Sequence, residues 1–432
     1  MKFIILFSLL FGFKSFFFAQ NYTSYFTGNT TDIVTTPTRG ICLMGGASEY
    51  DDAMRWFLNR ANGGDVLVLR ASGSDGYNDY FYTDLGVTLN SVETIVFNNA
   101  NASTDPYIWD KINKAEAIWF AGGDQWNYIS YWRDTPIDSL INKAIVERNI
   151  VIGGTSAGMA IQGEYYFSAQ NGSVTSATAL NNPYGTTITP DGAPFLNNSI
   201  LSNTITDTHF DNPDRRGRLT TFMARIYTDH GVQVRAIACE EYVAVCIDEN
   251  GIAKVYGEYP AFDEEAYFIQ TNCAVFNNGP ENCVAGQPLT WNHNGQALIV
   301  YDIKGTPTAN NSFDLNDWET GTGGTWLYWS ANNGVFSSTP GAAPDCSASG
   351  ISNPTTASFS AVVQHEQLFI EFTETFKGQF NIVDLTGKVV YTNLLKNQKN
   401  TTIPLAHLSN GIYIIEMVND TGKMTQKFHL LR

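Results

Sequence analysis

Basic side chains are scarce in this sequence of 432 residues, which has 25 Lys and Arg against 42 Asp and Glu. The formal charge of −17 repels phosphate backbones and anionic lipid headgroups, so nucleic acid is not an expected partner. An acidic surface attracts cationic substrates, but it also keeps a protein soluble outside the cell. The charge alone favours this second explanation.

Long apolar runs are also lacking. After residue 20 there is no run of the roughly 18 apolar residues that a membrane helix needs, so no membrane span is expected. Residues 1–20 read MKFIILFSLLFGFKSFFFAQ, with Lys2 before an apolar stretch and Ala-Gln at the end. This layout is typical of a secretory signal peptide, and Lys14 interrupts it too early for a bilayer span. The sequence therefore predicts an exported chain that is soluble once the signal is removed.

Cysteine is sparse and lacks metal-site spacing. The six cysteines include no Cys-x-x-Cys pair, and no histidine lies at ligand spacing from any of them, so no zinc site is expected. In an exported protein they permit disulfides. Cys273 and Cys283 flank the turn-like residues 277–280 and form the predicted bridge. Cys42 lies in an apolar strand pattern and is expected to be a buried thiol.

Short apolar runs alternate with helical patterns over the first part of the chain. Helical spacing is clear at 54–61 and at 137–145. The apolar runs between turn residues are 41–44, 66–69, 94–97, 117–120 and 150–152. This alternation predicts an α/β fold, a three-layer αβα sandwich with a mostly parallel sheet. In such sheets, ligands bind beyond the carboxyl ends of the strands.

The pattern changes near residue 233, where strands joined by tight turns begin. Residues 306–345 are rich in Gly, Asn, Thr and Trp, and no element is assigned there. Four residues in this segment are compatible with calcium: Asp314, Asn316, Asp317 and Glu319. The spacing of an EF-hand is absent, so an ordinary polar loop is favoured.

A separate all-β module follows a Ser-, Pro- and Thr-rich linker. Alternation with period two at 380–385 and 411–417 predicts a small β-sandwich. The stretches GQFNIVDLTGKVVY, LSNGIYIIEM and GKMTQKFHLLR resemble the C-terminal sorting domain of type IX secretion cargo. The resemblance implies delivery to the cell surface or the medium by the type IX machinery, with this domain removed on the way. A plain adhesive sandwich is the alternative.

One serine lies between small residues where a predicted strand ends. Residues 154–158, Gly-Thr-Ser-Ala-Gly, fit G-x-S-x-G between that strand and an apolar, helix-like segment. A nucleophile on a tight turn needs tiny neighbours, and the turn aims the Ala157 N–H at the developing oxyanion. Gly and Ser also fill ordinary turns, so the motif alone is weak. Its placement predicts that Ser156 is a nucleophile.

A serine nucleophile needs a general base, and His209 is the candidate among six histidines. It follows Asp207 by two residues and precedes a basic cluster that includes Arg215 and Arg218. A lone histidine is more often structural, but this setting is that of a site for an anionic ligand.

The stretch FAGGDQ, residues 120–125, ends another strand of the same predicted sheet. Its glycines let the backbone approach a substrate closely, and Gln125 is able to donate a hydrogen bond to it. A phosphate cradle is the rival use of such glycines, but no Lys-Ser or Lys-Thr follows as a P-loop requires.

Four motifs, in this order, resemble the cyanophycinase and aspartyl dipeptidase family of serine peptidases: Gly45-Gly46, FAGGDQ, GGTSAGMA and DTHFDNPDRRGRL. Together they are far more specific than any one of them. The fold of this family is related to class I glutamine amidotransferase domains. The predicted organisation is a signal peptide at 1–20, a peptidase domain at 21–345 with its core at 38–305, a linker at 346–358, and a sorting domain at 359–432.

The resemblance implies roles for individual residues. Ser156 is implied as the nucleophile and His209 as the general base, with the N–H groups of Gly123 and Ala157 stabilising the oxyanion. The positions that hold the substrate in the family correspond to Gln125, Asp207, Arg215 and Arg218. The aspartate among them is placed for a cationic group and the arginines for a carboxylate. Family substrates are aspartyl or β-aspartyl dipeptides and the Asp-Arg polymer cyanophycin, hydrolysed through an acyl-enzyme without metal or cofactor.

Two features depart from the family pattern. The family orients its histidine with a carboxylate soon after the nucleophile, but residues 165–180 contain no Asp or Glu. Glu164 and Asp191 are the nearest candidates for the third triad acid. Pro213 stands where true cyanophycinases have an arginine, which argues against cyanophycin itself.

Two other functions stay open. One is a catalytically idle relative that binds peptides or surface partners. The other is an esterase or amidase on the same turn. The sequence predicts no oligomeric state, and a homodimer stays open.

Overall fold

The structure is a computed structural model, and it describes residues 20–193, 195–275, 277–346, 359–364, 367–384, 388–406, 408–419 and 422–430. The chain divides into two compact units, Met1–Asp345 and Cys346–Arg432. The predicted signal peptide, apart from Gln20, and most of the predicted linker lie outside the described residues. Across the described ranges, no helix has both the length and the apolar character needed to cross a membrane.

The first unit is built from strands and helices in mixed order. Its strands are β1 Tyr22–Gly28, β2 Gly40–Met44, β3 Asp65–Arg70, β4 Ser91–Phe97, β5 Ala117–Phe120, β6 Val151–Thr155, β7 Tyr166–Phe167, β8 Pro190–Asp191, β9 Thr204–Asp207, β10 Arg235–Cys239, β11 Ala244–Asp248, β12 Ile252–Tyr256, β13 Glu265–Thr271, β14 Leu298–Lys304, β15 Ser312–Asp314, β16 Gly321–Thr322, β17 Gly324–Asn332 and β18 Val335–Pro340. Its helices are α1 Asp51–Asn59, α2 Gly76–Asp79, α3 Pro106–Lys114, α4 Gln125–Trp132, α5 Pro136–Glu147, α6 Ala157–Ala160, α7 Ser176–Asn181 and α8 Arg216–His230.

The larger sheet has a parallel centre and antiparallel flanks. Its strand order is β1-β4-β3-β5-β6-β2-β11-β12-β15-β16. All neighbours from β4 to β2 run parallel, so the carboxyl ends of β5, β6 and β2 lie side by side at one edge. The strands outside this centre are antiparallel to their neighbours. The predicted parallel sheet therefore holds for the centre, which is where three of the four sequence motifs lie.

Side chains are buried on both faces of this sheet. Alternate residues of β2 enter different cores, Ile41 and Leu43 on one face and Cys42 and Met44 on the other. Helices α3, α4 and α5 cover the first face and α1 covers the second. Each fully buried aliphatic side chain contributes roughly 1.5–3 kcal/mol. The predicted three-layer αβα sandwich is confirmed.

A second sheet lies in the same unit, in the order β18-β17-β14-β13-β10-β9. Only β9 and β10 run parallel, and the remaining neighbours are antiparallel. The buried side of α8, including Leu219, Phe222 and Met223, shares a core with β14 and β17. The segment 306–345, left unassigned from sequence, supplies strands to both sheets. Since β9 and β10 are parallel, the residues that follow them lie at the same edge.

The cysteines differ from the prediction in one respect. Cys283 is a free, buried thiol, whereas Cys273 and Cys346 are disulfide-bonded. The predicted Cys273–Cys283 bridge is therefore wrong. Cys42 is a buried free thiol, as its apolar strand pattern indicates.

The second unit contains a five-stranded antiparallel sheet. Its strands are β19 Phe359–Gln364, β20 Gln367–Asp384, β21 Val389–Pro404, β22 Gly411–Asn419 and β23 Gly422–Leu430. The long β20 pairs with β21 along most of its length, with β19 at its start and with β22 at its end. Alternate apolar side chains, such as Phe380 and Ile382 with Ile415 and Met417, build a core of its own. The predicted separate β module is confirmed, while the turn residues 385–387 lie outside the described residues.

Candidate active site

Ser156 lies on a sharp turn between β6 and α6. Its backbone has φ 52° and ψ −118°, which is a strained conformation for a residue with a side chain. The flanking glycines are required by space. A Cβ at Gly154 would lie 2.5 Å from the Gly158 carbonyl oxygen, and a Cβ at Gly158 would lie 2.0 Å from that of Phe120. The tiny neighbours of the G-x-S-x-G motif therefore let the chain turn tightly enough to present the serine.

The Ser156 hydroxyl meets His209, and His209 meets Glu241. The Ser156 Oγ lies 2.8 Å from His209 Nε2, and His209 Nδ1 lies 2.6 Å from Glu241 Oε1. The His209 and Glu241 side chains are about one quarter and one fifth exposed, at 24% and 21%. A carboxylate at Nδ1 selects the tautomer that leaves Nε2 free to accept the serine proton. The arrangement is that of a Ser-His-Glu triad.

The end of β2 holds the three triad segments together through backbone hydrogen bonds. The Ser156 N–H donates to the Met44 carbonyl at 3.1 Å, and the His209 N–H donates to the Gly45 carbonyl at 2.9 Å. The Tyr242 N–H, next to Glu241 in the chain, donates to the Gly46 carbonyl at 3.1 Å. Met44, Gly45 and Gly46 thus each accept one backbone hydrogen bond, from the segments that carry Ser156, His209 and Glu241 respectively.

Gly46 also makes room for the imidazole ring. A Cβ at this position would lie 2.3 Å from His209 Cε1, and its φ of 129° is unfavourable for any residue with a side chain. The ring of His209 therefore packs directly on the backbone of residue 46.

Neither acid chosen from the sequence lies against His209. Glu164 accepts a hydrogen bond from the Asn203 N–H at 2.6 Å, and Asp191 forms an ion pair with Arg133 at 2.7 Å. Both expectations are corrected, because these carboxylates are held by other partners.

Glu241 was missed because it is remote in sequence from the nucleophile. It follows the apolar run that forms β10, just as His209 follows β9, and the parallel pairing of these strands brings both to one edge. The available signal was a Glu-Glu pair directly after an apolar run.

The Gly122-Gly123 turn, which follows β5, lies next to Ser156. A Cβ at Gly122 would lie 3.6 Å from Ser156 Cβ, and a Cβ at Gly123 would lie 2.9 Å from the Tyr128 hydroxyl. That hydroxyl donates to the carbonyl of Ala121 at 2.8 Å, which holds the turn in place. Ala157 is the first residue of α6, where an amide has no acceptor within the helix. Both expected oxyanion residues are thus neighbours of Ser156.

Two of the expected substrate-binding residues bind each other. Asp207 and Arg218 form a two-point ion pair, with Arg218 Nε 2.9 Å from Asp207 Oδ2 and Nη2 on the other oxygen. The two residues are only 2% and 3% exposed. The expectation that Asp207 receives a cationic group and Arg218 a carboxylate is therefore corrected, since each already neutralises the other.

The other two expected substrate-binding residues keep spare hydrogen-bonding groups. Gln125 Nε2 donates to the Phe167 carbonyl at 3.0 Å, and Arg215 Nη1 donates to the Thr208 carbonyl at 2.8 Å. Among the ion pairs of the described residues, none includes Arg215. Burial, reinforced by the neighbouring Arg218, lowers the pKa of Arg215 to about 10. Arg215 is therefore a partly buried cation without a carboxylate partner.

Metal ligands do not come together within the described residues, where no group of three His, Cys, Asp or Glu side chains is placed to hold an ion. In the segment compared with calcium loops, Asp314 accepts from the Asn316 N–H and Asp317 from the Glu319 N–H, both at 2.8 Å. These carboxylates accept hydrogen bonds from backbone amides of their own turns, which agrees with the prediction of an ordinary polar loop.

Comparison with known proteins shows which families this chain is similar to. Residues 43–254 match the family described as Peptidase family S51, and residues 364–430 match the Secretion system C-terminal sorting domain. The chain is 25% identical over 185 residues to a cyanophycinase of Geminocystis herdmanii, covering 43% of this chain and 55% of that protein. It is 24% identical over 209 residues to a cyanophycinase of Synechococcus elongatus, covering 46% and 59% respectively. The chain thus spans little more than half the length of these curated relatives.

A solved structure of a peptidase from an acI-B1 Actinobacterium is also similar, with 12% identity over 54% of this chain and 91% of that chain, at a TM-score of 0.39. The matched segment 43–254 begins on β2 and includes Ser156, His209 and Glu241. The segment that contains the triad is therefore similar to peptidase family S51, and the segment that follows it is similar to a secretion system C-terminal sorting domain.

Proposed function

We propose that the first unit is an exported serine peptidase that hydrolyses Asp-containing peptides, including β-aspartyl ones, through an acyl-enzyme. The observation that carries the proposal is the chain of contacts from Ser156 to His209 to Glu241, at 2.8 and 2.6 Å. Such a chain supplies the base that a serine hydroxyl needs and the acid that orients the base.

The reaction begins when Ser156 Oγ attacks the scissile carbonyl while its proton passes to His209 Nε2. The amides of Gly123 and Ala157 donate to the oxyanion of the tetrahedral intermediate. His209 then gives the proton to the departing amine, which leaves Ser156 acylated. A water molecule, deprotonated by His209, attacks the ester, releases the acid product and restores the serine. Glu241 stabilises the imidazolium in both halves of the reaction.

Arg215 supports the choice of an aspartyl substrate. It is a partly buried cation without a carboxylate partner, and it lies six residues from His209 at the start of α8. A guanidinium in a site of reduced dielectric binds a carboxylate strongly. We assign the aspartyl carboxylate to Arg215, with Gln125 as a second donor.

Export follows from the second unit. Its match to a secretion system C-terminal sorting domain supports transfer through the type IX machinery to the surface or the medium. The signal-like composition of residues 1–20 is consistent with this route.

The hypothesis of a catalytically idle relative was based on the lack of a third triad acid. Glu241 lies beside His209 where that acid is needed, so this reason no longer applies. Among the described residues around Ser156, no contact favours an ester over an amide substrate.

A dipeptide library tests the proposal. The library compares α-Asp, β-Asp and non-Asp linkages with the wild-type chain, with Ser156→Ala and, as a control, with Ser130→Ala, which changes an exposed serine on α4. We expect turnover of Asp dipeptides by the wild type and the control and essentially none by Ser156→Ala. Turnover that survives Ser156→Ala, or a wild type that prefers non-Asp linkages, contradicts the proposal.

A further inference from the structure

A cavity of about 410 Å³ lies between the turn after β2 and the segment that leads into β11. One wall is the turn after β2, beginning at Ser48, and another is Tyr242. Tyr242 directly follows Glu241, and its N–H is bound to the carbonyl of Gly46, on which the His209 ring packs. The backbone that assembles the triad therefore also forms part of this cavity.

Three carboxylates line the cavity: Glu49, Glu258 and Glu264. Of the described residues that line it, none is a lysine or an arginine. Glu49 accepts a hydrogen bond from the Tyr77 hydroxyl and forms no ion pair among the described residues, and the more distant Arg70 only partly offsets its charge. Burial, followed by the like charge of neighbouring carboxylates, raises the pKa of Glu264. A cation in the cavity would relieve this repulsion.

Aromatic rings lie among these carboxylates. Tyr50, Tyr242 and Phe262 line the same cavity, and Tyr242 and Phe262 are 48% and 56% exposed. Tyr242 has φ 64°, which is unfavourable for a bulky residue. Aromatic faces attract organic cations such as guanidinium and ammonium groups, and they also pack on the aliphatic stem that carries such a group.

The cavity lies on the histidine side of the nucleophile. In the sheet order β5-β6-β2-β11, the Gly122-Gly123 turn follows β5 on one side of Ser156. The lining residues 48–50 follow β2 and Tyr242 precedes β11, both on the other side. Because the histidine of a serine peptidase hands its proton to the departing amine, the leaving part of the substrate lies next to His209. The cavity thus borders the leaving residue.

We propose that this cavity is a specificity subsite that takes the lysine or arginine side chain of the residue released by cleavage. The inference rests on the proposed peptidase function, because it takes Ser156 as the nucleophile. Negative charge attracts the cationic head, and the rings of Tyr242 and Phe262 contact the head and its stem. A leaving residue with a carboxylate side chain is repelled by the same wall.

The test compares dipeptides that differ only in the leaving residue. Asp-Lys and Asp-norleucine share a straight aliphatic stem, and only the first carries a charge. We expect kcat/KM for the wild-type chain to be roughly tenfold higher for Asp-Lys, as partly exposed ion pairs and cation–π contacts allow. In the double variant Glu258→Gln/Glu264→Gln, the ratio falls towards one. Phe262→Leu, which removes an exposed ring, also lowers it.

Glu147→Gln is the matched control, because it removes one exposed negative charge from α5, outside the cavity. We expect it to keep the wild-type ratio. Equal kcat/KM for the two dipeptides in the wild type overturns the proposal, as does a ratio that survives the double variant.

A binding measurement distinguishes failure of the subsite proposal from failure of the peptidase proposal. If no dipeptide is hydrolysed, agmatine binding is measured by calorimetry in Ser156→Ala, with and without Glu258→Gln/Glu264→Gln. Binding that weakens roughly tenfold with the glutamines supports the cation subsite independently of turnover. Equal affinity in both, or no binding in either, overturns it.

Discussion

The role of Glu241 depends on its position beside His209. Its carboxylate lies 2.6 Å from His209 Nδ1, where it fixes the tautomer and stabilises the imidazolium. Glu241→Gln keeps the size of the side chain but removes the charge and places a donor near Nδ1. We expect kcat to fall by about 10²–10⁴ with a smaller change in KM. Steady-state kinetics on an Asp dipeptide measures both.

Glu164→Gln is the comparison for this variant. Glu164 is the acid nearest to Ser156 in the chain, but it is exposed and binds the Asn203 N–H. We expect nearly wild-type kcat from it. The account of the triad is wrong if Glu164→Gln and Glu241→Gln lower kcat equally.

Gly46 acts through the space that it leaves. A Cβ there would overlap the His209 ring, at 2.3 Å from Cε1, in a backbone conformation with φ 129°. Gly46→Ala must displace the imidazole or the strand end, and a shift of about 1 Å in a catalytic group can cost roughly 100-fold in rate. We expect a loss of kcat of at least that order, measured on the same dipeptide.

Gly172→Ala separates this clash from backbone strain. Gly172 has φ 89° but nothing lies within 4 Å of a Cβ placed on it. We expect that variant to lose about 1–2 kcal/mol of stability and to keep its kcat. Similar kcat values for the two alanine variants would remove the packing argument for Gly46.

At the scale of elements, the Asp207–Arg218 pair joins the end of β9 to α8. Both side chains are buried, at 3% exposure, so removing one charge leaves the other unpaired in the interior. We expect Asp207→Asn to lower the free energy of unfolding by about 3–5 kcal/mol. Asp52→Asn, which breaks the exposed pair between Arg55 and Asp52 at 2.6 Å, should cost no more than about 1 kcal/mol. Urea unfolding compares them, and equal losses would contradict the structural role.

The end of α3 and the start of β5 enclose an acid that makes stability depend on pH. Glu116 is 4% exposed, and burial raises its pKa to about 7 from an ordinary value of 4.5. Because the folded chain holds this proton more tightly than the unfolded chain, its contribution is complete below about pH 4.5 and is lost as pH rises through 7. Urea unfolding at pH 5 and pH 7.5 measures the difference.

Glu116→Gln should reduce this loss of stability between the two pH values. Glu240 and Asp302, whose pKa values burial also raises to about 7, keep part of it in the variant. Glu147→Gln, in an exposed position, should leave the wild-type difference. An unchanged difference in Glu116→Gln would contradict the assignment.

Elements differed in how well the sequence predicted them. The centre of the larger sheet and helices α1 and α5 were predicted, because their apolar spacing is a local property of the chain. The turn of Ser156 was predicted for the same reason. The position of Glu241 was not, because it depends on the parallel pairing of β9 with β10 and on the closure of residue 242 onto Gly46. The pairing of Asp207 with Arg218 likewise needs the direction of α8.

For the whole molecule, the least predictable feature was the second sheet. Its strands are contributed by segments from 204 to 340, so no local window of sequence indicates that they pair. No element was predicted in the segment 306–345, because its strands, such as β15 and β18, are short or polar on one side. This sheet nevertheless determines the geometry of the site. His209 and Glu241 follow its strands β9 and β10, and the His209 ring contacts Ser156 of the larger sheet.

The most direct measurement is the site of covalent modification by a serine-directed fluorophosphonate, mapped by mass spectrometry on the full chain. The account predicts one adduct, on Ser156, because among the described residues only this hydroxyl is bound to an imidazole that a carboxylate orients. It also predicts that His209→Ala abolishes the adduct and that Glu241→Gln slows its formation. A folded chain that hydrolyses Asp dipeptides while Ser156 stays unmodified, or an adduct that forms equally without His209, would contradict it.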